Sequence, residues 1–323
     1  MNETDIKRFV SADLKAKRRM LGELITFLES EDEETLNSLD SLYPESKNSF
    51  CLGITGPPGA GKSTLTNRII EQFKQKRAES ESLAIVAVDP SSPFTGGAFL
   101  GDRVRFRASN DDYIFTRSLA NRGALGGLSA QTPEIVDLIE IAGFDMTIIE
   151  TVGVGQSEVE IAKQADLTLV VLHPEAGDSI QALKAGLMEI ADIIVINKAD
   201  RPQAEEFAKA VEHALSLKTF GTVPPVFLTS AQFSTGVVEL YAKIHEIYRE
   251  KVHDSEFLRN KKLLKLQERL QRRLHRNIEK TFKTEQFQTL QASLLENILT
   301  NKLAFSQAYQ TLEDTVRKIL KEI

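Results

Sequence analysis

Eight residues, Gly56-Pro57-Pro58-Gly59-Ala60-Gly61-Lys62-Ser63, narrow the possible architecture of this chain more than any other segment. They fit the pattern G-x-x-x-x-G-K-[ST] and stand between an apolar run, Phe50 to Thr55, and a stretch of helical spacing that starts near Lys62. Glycines let backbone N–H groups approach phosphate oxygens with no Cβ in the way, and a helix N-terminus adds partial positive charge. The N–H groups of Gly56, Gly59, Ala60, Gly61, Lys62, Ser63 and Thr64 are therefore candidates for holding phosphate. Lys62 would neutralise the β- and γ-phosphates, and Ser63 would give its hydroxyl to Mg²⁺.

The surrounding sequence has the texture this loop requires. Short β-rich runs at Phe50–Thr55, Leu83–Val88, Tyr113–Thr116, Met146–Glu150, Leu167–Leu172, Asp192–Asn197 and Val226–Thr229 alternate with helical stretches. That pattern predicts an α/β fold with a mainly parallel sheet of about seven strands. Leu14, Leu21, Leu24, Ile25 and Leu28 recur at helical spacing and predict a helical N-terminal extension over residues 1–48. The nucleotide-binding domain would cover 49–250, and a helical arm 251–323. In that arm Leu263, Leu266, Leu270, Leu274 and Ile278 form an apolar stripe, with nine Lys or Arg against two Glu between Leu258 and Lys280. Such a stripe packs within the chain or serves as a dimer or partner surface.

A second motif chooses the base. The run Asp192 to Ile196 delivers Asn197-Lys198-Ala199-Asp200, the N-K-x-D element of GTPases. A carboxylate at Asp200 accepts from guanine N1–H and the 2-amino group, whereas adenine offers an acceptor at N1 and nothing at C2. Leaving that carboxylate unpaired is costly, so ATP should be rejected. Lys198 would lay its stem along the base, and Asn197 would tie this loop to the phosphate loop. Ser230 and Ala231, in Thr229-Ser230-Ala231, would bring a backbone N–H to guanine O6.

Carboxylates at strand ends supply the remaining chemistry. Asp89 ends the second run, Asp102 follows the glycine-rich Thr95-Gly96-Gly97, and Glu150 ends the fourth run. Together they could orient Mg²⁺, its waters and the attacking water, with Lys62, Asp102 and Glu150 as the catalytic set. Gly153, in Glu150-x-x-Gly153, stands where many GTPases carry D-x-x-G and could sense the γ-phosphate. Val154 follows that glycine in place of the water-positioning Gln of Ras-type enzymes, and Gln156 lies further on. Slow intrinsic hydrolysis, accelerated by a partner, is the expectation.

Composition removes other classes. Forty basic and 46 acidic side chains give a formal charge of −6, which disfavours a dedicated nucleic-acid binder. The single Cys51 cannot form an internal disulfide and points to a reducing compartment, so a cytoplasmic location is expected. The apolar runs are too short to span a bilayer, and the first residues lack a signal-peptide pattern. One Cys and five His do not suit a metal-insertion GTPase.

The segments GPPGAGKST, VDPSSPFTGGAFLGDRVRF, TRSLANRGALGGL, AGFDMTIIETVGVGQSEVEIA, GDSIQALKAGLMEIADIIVINKAD and TSA together closely resemble the MeaB/ArgK family of P-loop GTPases. The resemblance runs from about Phe50 to Ala231 and implies a seven-stranded GTPase core, N-terminal helices and a C-terminal helical dimerisation arm, hence a homodimer. It also implies a G-protein chaperone of an adenosylcobalamin-dependent acyl-CoA mutase, chiefly methylmalonyl-CoA mutase, that gates cofactor loading and protects the mutase. On this likeness Ser63, Asp89, Asp102 and Glu150 hold Mg²⁺ with GTP or GDP, and Asp178, Gln181 and Lys184 belong to a further switch that responds to the mutase. His173-Pro174-Glu175-Ala176-Gly177 departs from the family's glycine-rich P-G-x-G run at the start of that switch. The alternative is a P-loop kinase acting on a small-molecule or transport-protein substrate. It would need a phosphoacceptor pocket and a base outside the switch segments, and the sequence identifies neither.

Overall fold

The computed structural model describes residues 8–30, 33–42, 49–89, 111–120, 131–151, 157–174, 187–217 and 223–322. Seven strands form one sheet: β1 (Phe50–Thr55), β2 (Leu83–Asp89), β3 (Ile114–Ala120), β4 (Met146–Thr151), β5 (Leu167–Leu172), β6 (Ile193–Ile196) and β7 (Val226–Leu228). Their order is β3-β2-β4-β1-β5-β6-β7, and every pairing is parallel. Parallel strands need crossovers, and helices supply them. These are α3 (Lys62–Lys76), α4 (Thr132–Ala142), α5 (Ser157–Gln164), α6 (Leu187–Ile190) and α7 (Ala204–Ser216), preceded by α1 (Leu14–Glu29) and α2 (Glu33–Leu42). Helix α8 (Val237–His253) follows the last strand.

Central strands covered on both faces read as near-continuous apolar runs, and β1, β4, β5 and β6 are buried along their whole length. Alternate side chains feed two cores. On one face Phe50, Leu52 and Ile54 pack with Leu65, Ile69 and Phe73 of α3 and Leu240 and Ile244 of α8. On the other, Cys51, Val86 and Ile149 pack with Ile135 and Ile139 of α4 and with Leu21, Leu24, Ile25 and Leu28 of α1. The leucine spacing near the N-terminus therefore marks a helix that covers the sheet.

Strand β3 extends four residues beyond the run Tyr113–Thr116. Its added positions include Arg117 and Ser118, and β3 lies at the sheet edge, where polar side chains reach out. Arg117 uses this freedom to pair with Glu29 of α1 at 2.5 Å.

The described chain divides into two compact units between His253 and Asp254. The second consists of α9 (Ser255–Lys283), α10 (Glu285–Leu299) and α11 (Phe305–Glu322). Asp254 caps α9 by accepting from the Glu256 and Phe257 N–H groups, and Thr284 caps α10. The α9 stripe lies open in the single chain: Leu263, Leu270 and Leu274 are 64%, 73% and 56% exposed.

Candidate nucleotide site

The loop after β1 is set by steric contact on one side and a side-chain clamp on the other. Gly56 has φ +139°, and a Cβ there would stand 2.0 Å from the Val171 carbonyl oxygen of β5. Gly61 has φ +86°, and a Cβ there would lie 2.4 Å from Asn197 Nδ2. Only glycine fits either place. Lys62, the first residue of α3, is buried and donates to the carbonyls of Gly56 at 2.7 Å and Pro57 at 3.0 Å. Its ammonium thus bridges the loop from inside, with acceptors that phosphate oxygens could replace.

Ser63 donates its hydroxyl to Glu150 Oε1, and Glu150 is buried at the end of β4, the strand beside β1. A hydroxyl and a carboxylate side by side are hard oxygen donors of the kind Mg²⁺ takes, and one or two protein oxygens suffice where phosphates and water complete the shell. The pair fits that ion. Among the described residues no group of three or more His, Cys, Asp or Glu could hold a metal by itself.

Across β5, the loop after β6 meets the phosphate loop. Asn197 is 2% exposed; its Nδ2 donates to the Ala60 carbonyl at 2.8 Å. Its Oδ1 accepts from the Ala231 N–H at 3.0 Å and from Thr229 Oγ1 at 3.3 Å. Asn197 therefore joins three segments. Lys198 adopts φ +60°, the left-handed conformation that turns the chain toward Asp200. Ser230 Oγ donates to Asp200 Oδ1 at 2.5 Å, so Ser230 acts here as a support for the carboxylate. That hydrogen bond holds the Asp200 carboxyl below the usual carboxylate range, with smaller contributions from Arg201 and Lys198 and against partial desolvation. Gly61, Thr64, Asn197, Lys198, Asp200 and Ser230 line a cleft of about 120 Å³.

Of the other sequence-predicted residues, Asp89 ends β2 in register with Ala120, and its side chain lies outside the described residues, as do Asp102, Gly153, Asp178, Gln181 and Lys184. The Ala231 N–H, predicted to reach guanine O6, is directed at Asn197 Oδ1 in this structure. Sequence reasoning did not find Arg68. From α3 it donates to the carbonyls of Ala231 at 2.9 Å and Gln232 at 3.3 Å, while pairing with Glu71 at 2.8 Å. Its partners are main-chain carbonyls, which have no side-chain signature.

A glycine loop between strand and helix, a lysine at the helix start and a base loop two strands away define a P-loop nucleotide-binding protein. Comparison with known proteins gives the family. The family described as "Methylmalonyl Co-A mutase-associated GTPase MeaB" matches residues 21–286, and the chain belongs to it; it is a GTPase. A relative from Pyrococcus abyssi is 44% identical over 262 residues, covering 79% of this chain and 80% of its own. The "Fused isobutyryl-CoA mutase" of Cupriavidus metallidurans is 38% identical over 210 residues, 63% of this chain and 19% of that protein. A crystal structure described as an LAO/AO transport system kinase superposes with TM-score 0.67 at 25% identity, covering 98% of this chain and 99% of that one.

Proposed function

We propose that this GTPase binds GTP with Mg²⁺ in the Lys62–Asp200 site, hydrolyses it slowly alone, and serves as a chaperone of an adenosylcobalamin-dependent acyl-CoA mutase, gating cofactor loading and protecting the mutase. The observation that carries the mutase reading is the Cupriavidus relative, in which a stretch similar to 210 residues of this chain belongs to a protein named as a fused mutase. A domain joined to a mutase in one protein can serve a mutase as a separate chain in another.

The chain's own residues divide the work. Asp200, held by Ser230, accepts from guanine, and Lys198 packs its stem on the base. Lys62 exchanges its loop carbonyls for β- and γ-phosphate oxygens, so its ammonium stays hydrogen-bonded and gains anionic partners. Ser63 and Glu150 would hold Mg²⁺, joined by Asp89 and Asp102; the ion, when bound, neutralises charge on the transferred phosphoryl group. Water attacks the γ-phosphorus, GDP leaves, and phosphate is the second product. Gly153, Asp178, Gln181 and Lys184 are assigned to the switches that carry the state of the γ-phosphate to the mutase. The exposed leucines of α9 are the proposed homodimer surface, and the cytoplasm the proposed location.

The test is GTP turnover with and without a purified cobalamin-dependent acyl-CoA mutase. Acceleration by the mutase is the expected result. Turnover indifferent to every such mutase, with the γ-phosphoryl recovered on another acceptor, would replace the chaperone by a kinase.

A further inference from the structure

Arg68 stands on α3 six residues after Lys62, on the helix that begins at the phosphate loop. It holds the base loop by main-chain carbonyls, where Asn197 holds it by an N–H. Its guanidinium is divided among three acceptors: Nε to the Ala231 carbonyl at 2.9 Å, Nη2 to the Gln232 carbonyl at 3.3 Å, and Nη1 to Glu71 Oε2 at 2.8 Å. A planar fork with fixed donor directions suits this task, because three bonds together fix its position. The carbonyls it holds follow directly on Ser230, whose hydroxyl donates to Asp200 Oδ1, the carboxylate assigned to the N1–H and 2-amino group of guanine.

We infer that Arg68 is a positioning residue for purine discrimination: it fixes the Ser230–Gln232 backbone, and with it the Ser230 hydroxyl that holds the Asp200 carboxylate in place for the base, with Glu71 orienting the guanidinium. The inference rests on the guanine reading of the cleft. A carboxylate fixed there is satisfied by the N1–H and 2-amino group of guanine and opposed by the N1 lone pair of adenine, so rigidity is itself discrimination. A loop that can turn away loses both effects. Arg68 also links the two halves of the site, since the helix that receives phosphate at Lys62 grips the loop that reads the base.

The experiment measures displacement of a fluorescent GDP by GTP and by ATP from the full-length chain, as wild type, Arg68→Ala, Arg68→Lys and Glu71→Gln. The ratio of GTP to ATP affinity does not depend on the folded fraction, so it separates positioning from general loosening of the fold. Loss of two hydrogen bonds should lower that ratio about tenfold in Arg68→Ala and speed GDP dissociation by a similar factor. Arg68→Lys, which keeps one donor to Ala231, should recover part of the ratio, and Glu71→Gln should fall between wild type and Arg68→Ala. A ratio and a GDP dissociation rate equal to wild type in Arg68→Ala would overturn the inference and leave the site itself intact. If the wild-type chain bound no guanine nucleotide, the site reading would fall and this inference with it.

Discussion

Replacing Asn197 by Ala tests whether the site is one mechanical unit before nucleotide arrives. The side chain is 2% exposed and makes three hydrogen bonds: to the Ala60 carbonyl at 2.8 Å, from the Ala231 N–H at 3.0 Å and from Thr229 Oγ1 at 3.3 Å. A net contribution of about 1 kcal/mol each, reduced for the longest, gives a loss of about 2–3 kcal/mol. For a unit of this size such a loss lowers the melting temperature by roughly 5–10 °C. Calorimetry on nucleotide-free protein measures it. Thr229→Val removes the longest bond alone and should cost less than about 1 kcal/mol. A fall below about 1 kcal/mol in Asn197→Ala would mean that the three segments hold their places without the clamp, and the reasoning would be wrong.

Asp200→Asn should weaken GTP about 100-fold and favour XTP, because an amide offers one acceptor and one donor to the N1–H and 2-oxo group of xanthine. Unaltered preference in nucleotide displacement would place the base elsewhere. The Ser230 hydrogen bond lowers the Asp200 pKa from 3.8, so its contribution is full above that ordinary value and disappears only as pH falls through the lower folded one. Wild-type GTP affinity should accordingly carry no Asp200 titration between pH 7 and about pH 5; a decline in that window that vanished in Asp200→Asn would contradict it. Tyr241 is 1% exposed, and its hydroxyl finds no hydrogen-bond partner among the described residues, while Lys76 lies over the ring and His245 stacks on it. Tyr241→Phe keeps the ring contacts and removes the orphaned hydroxyl, so urea unfolding should find stability unchanged or raised by up to about 1 kcal/mol. A loss above about 1.5 kcal/mol would reveal a hydrogen bond to that hydroxyl.

Much of the sheet was legible in the sequence because parallel strands buried on both faces are apolar along most of their length. Runs such as Leu167–Leu172 and Ile193–Ile196 therefore announce themselves. The edge strand β3 runs past Thr116, since Arg117 and Ser118 carry no strand signal of their own until an edge gives them room. The two motifs that the structure joins through Asn197 stand out in the sequence because each is defined by particular residue types at fixed spacing. Arg68 does not, because a backbone carbonyl can be offered by any residue. The exposure of Leu263, Leu270 and Leu274 was not legible either: helical spacing reports an apolar face but not what covers it.

What joins the two loops is strand order, which no local pattern encodes. Both β1 and β6 pair with β5, so Thr55 and Ile196 end two strands apart, about 10 Å across the sheet. That separation lets a short side chain on one loop reach the backbone of the other, and Asn197 does so to Ala60 across 137 residues of sequence. The same arrangement explains Gly56, which passes directly against the Val171 carbonyl of the intervening strand. Were β5 not beside β1, the glycine would have no steric reason to be there, and were β6 not beside β5, the asparagine would have nothing to grip. The two motifs can therefore form one site only in a sheet that places a single strand between them, and this topology supplies that strand.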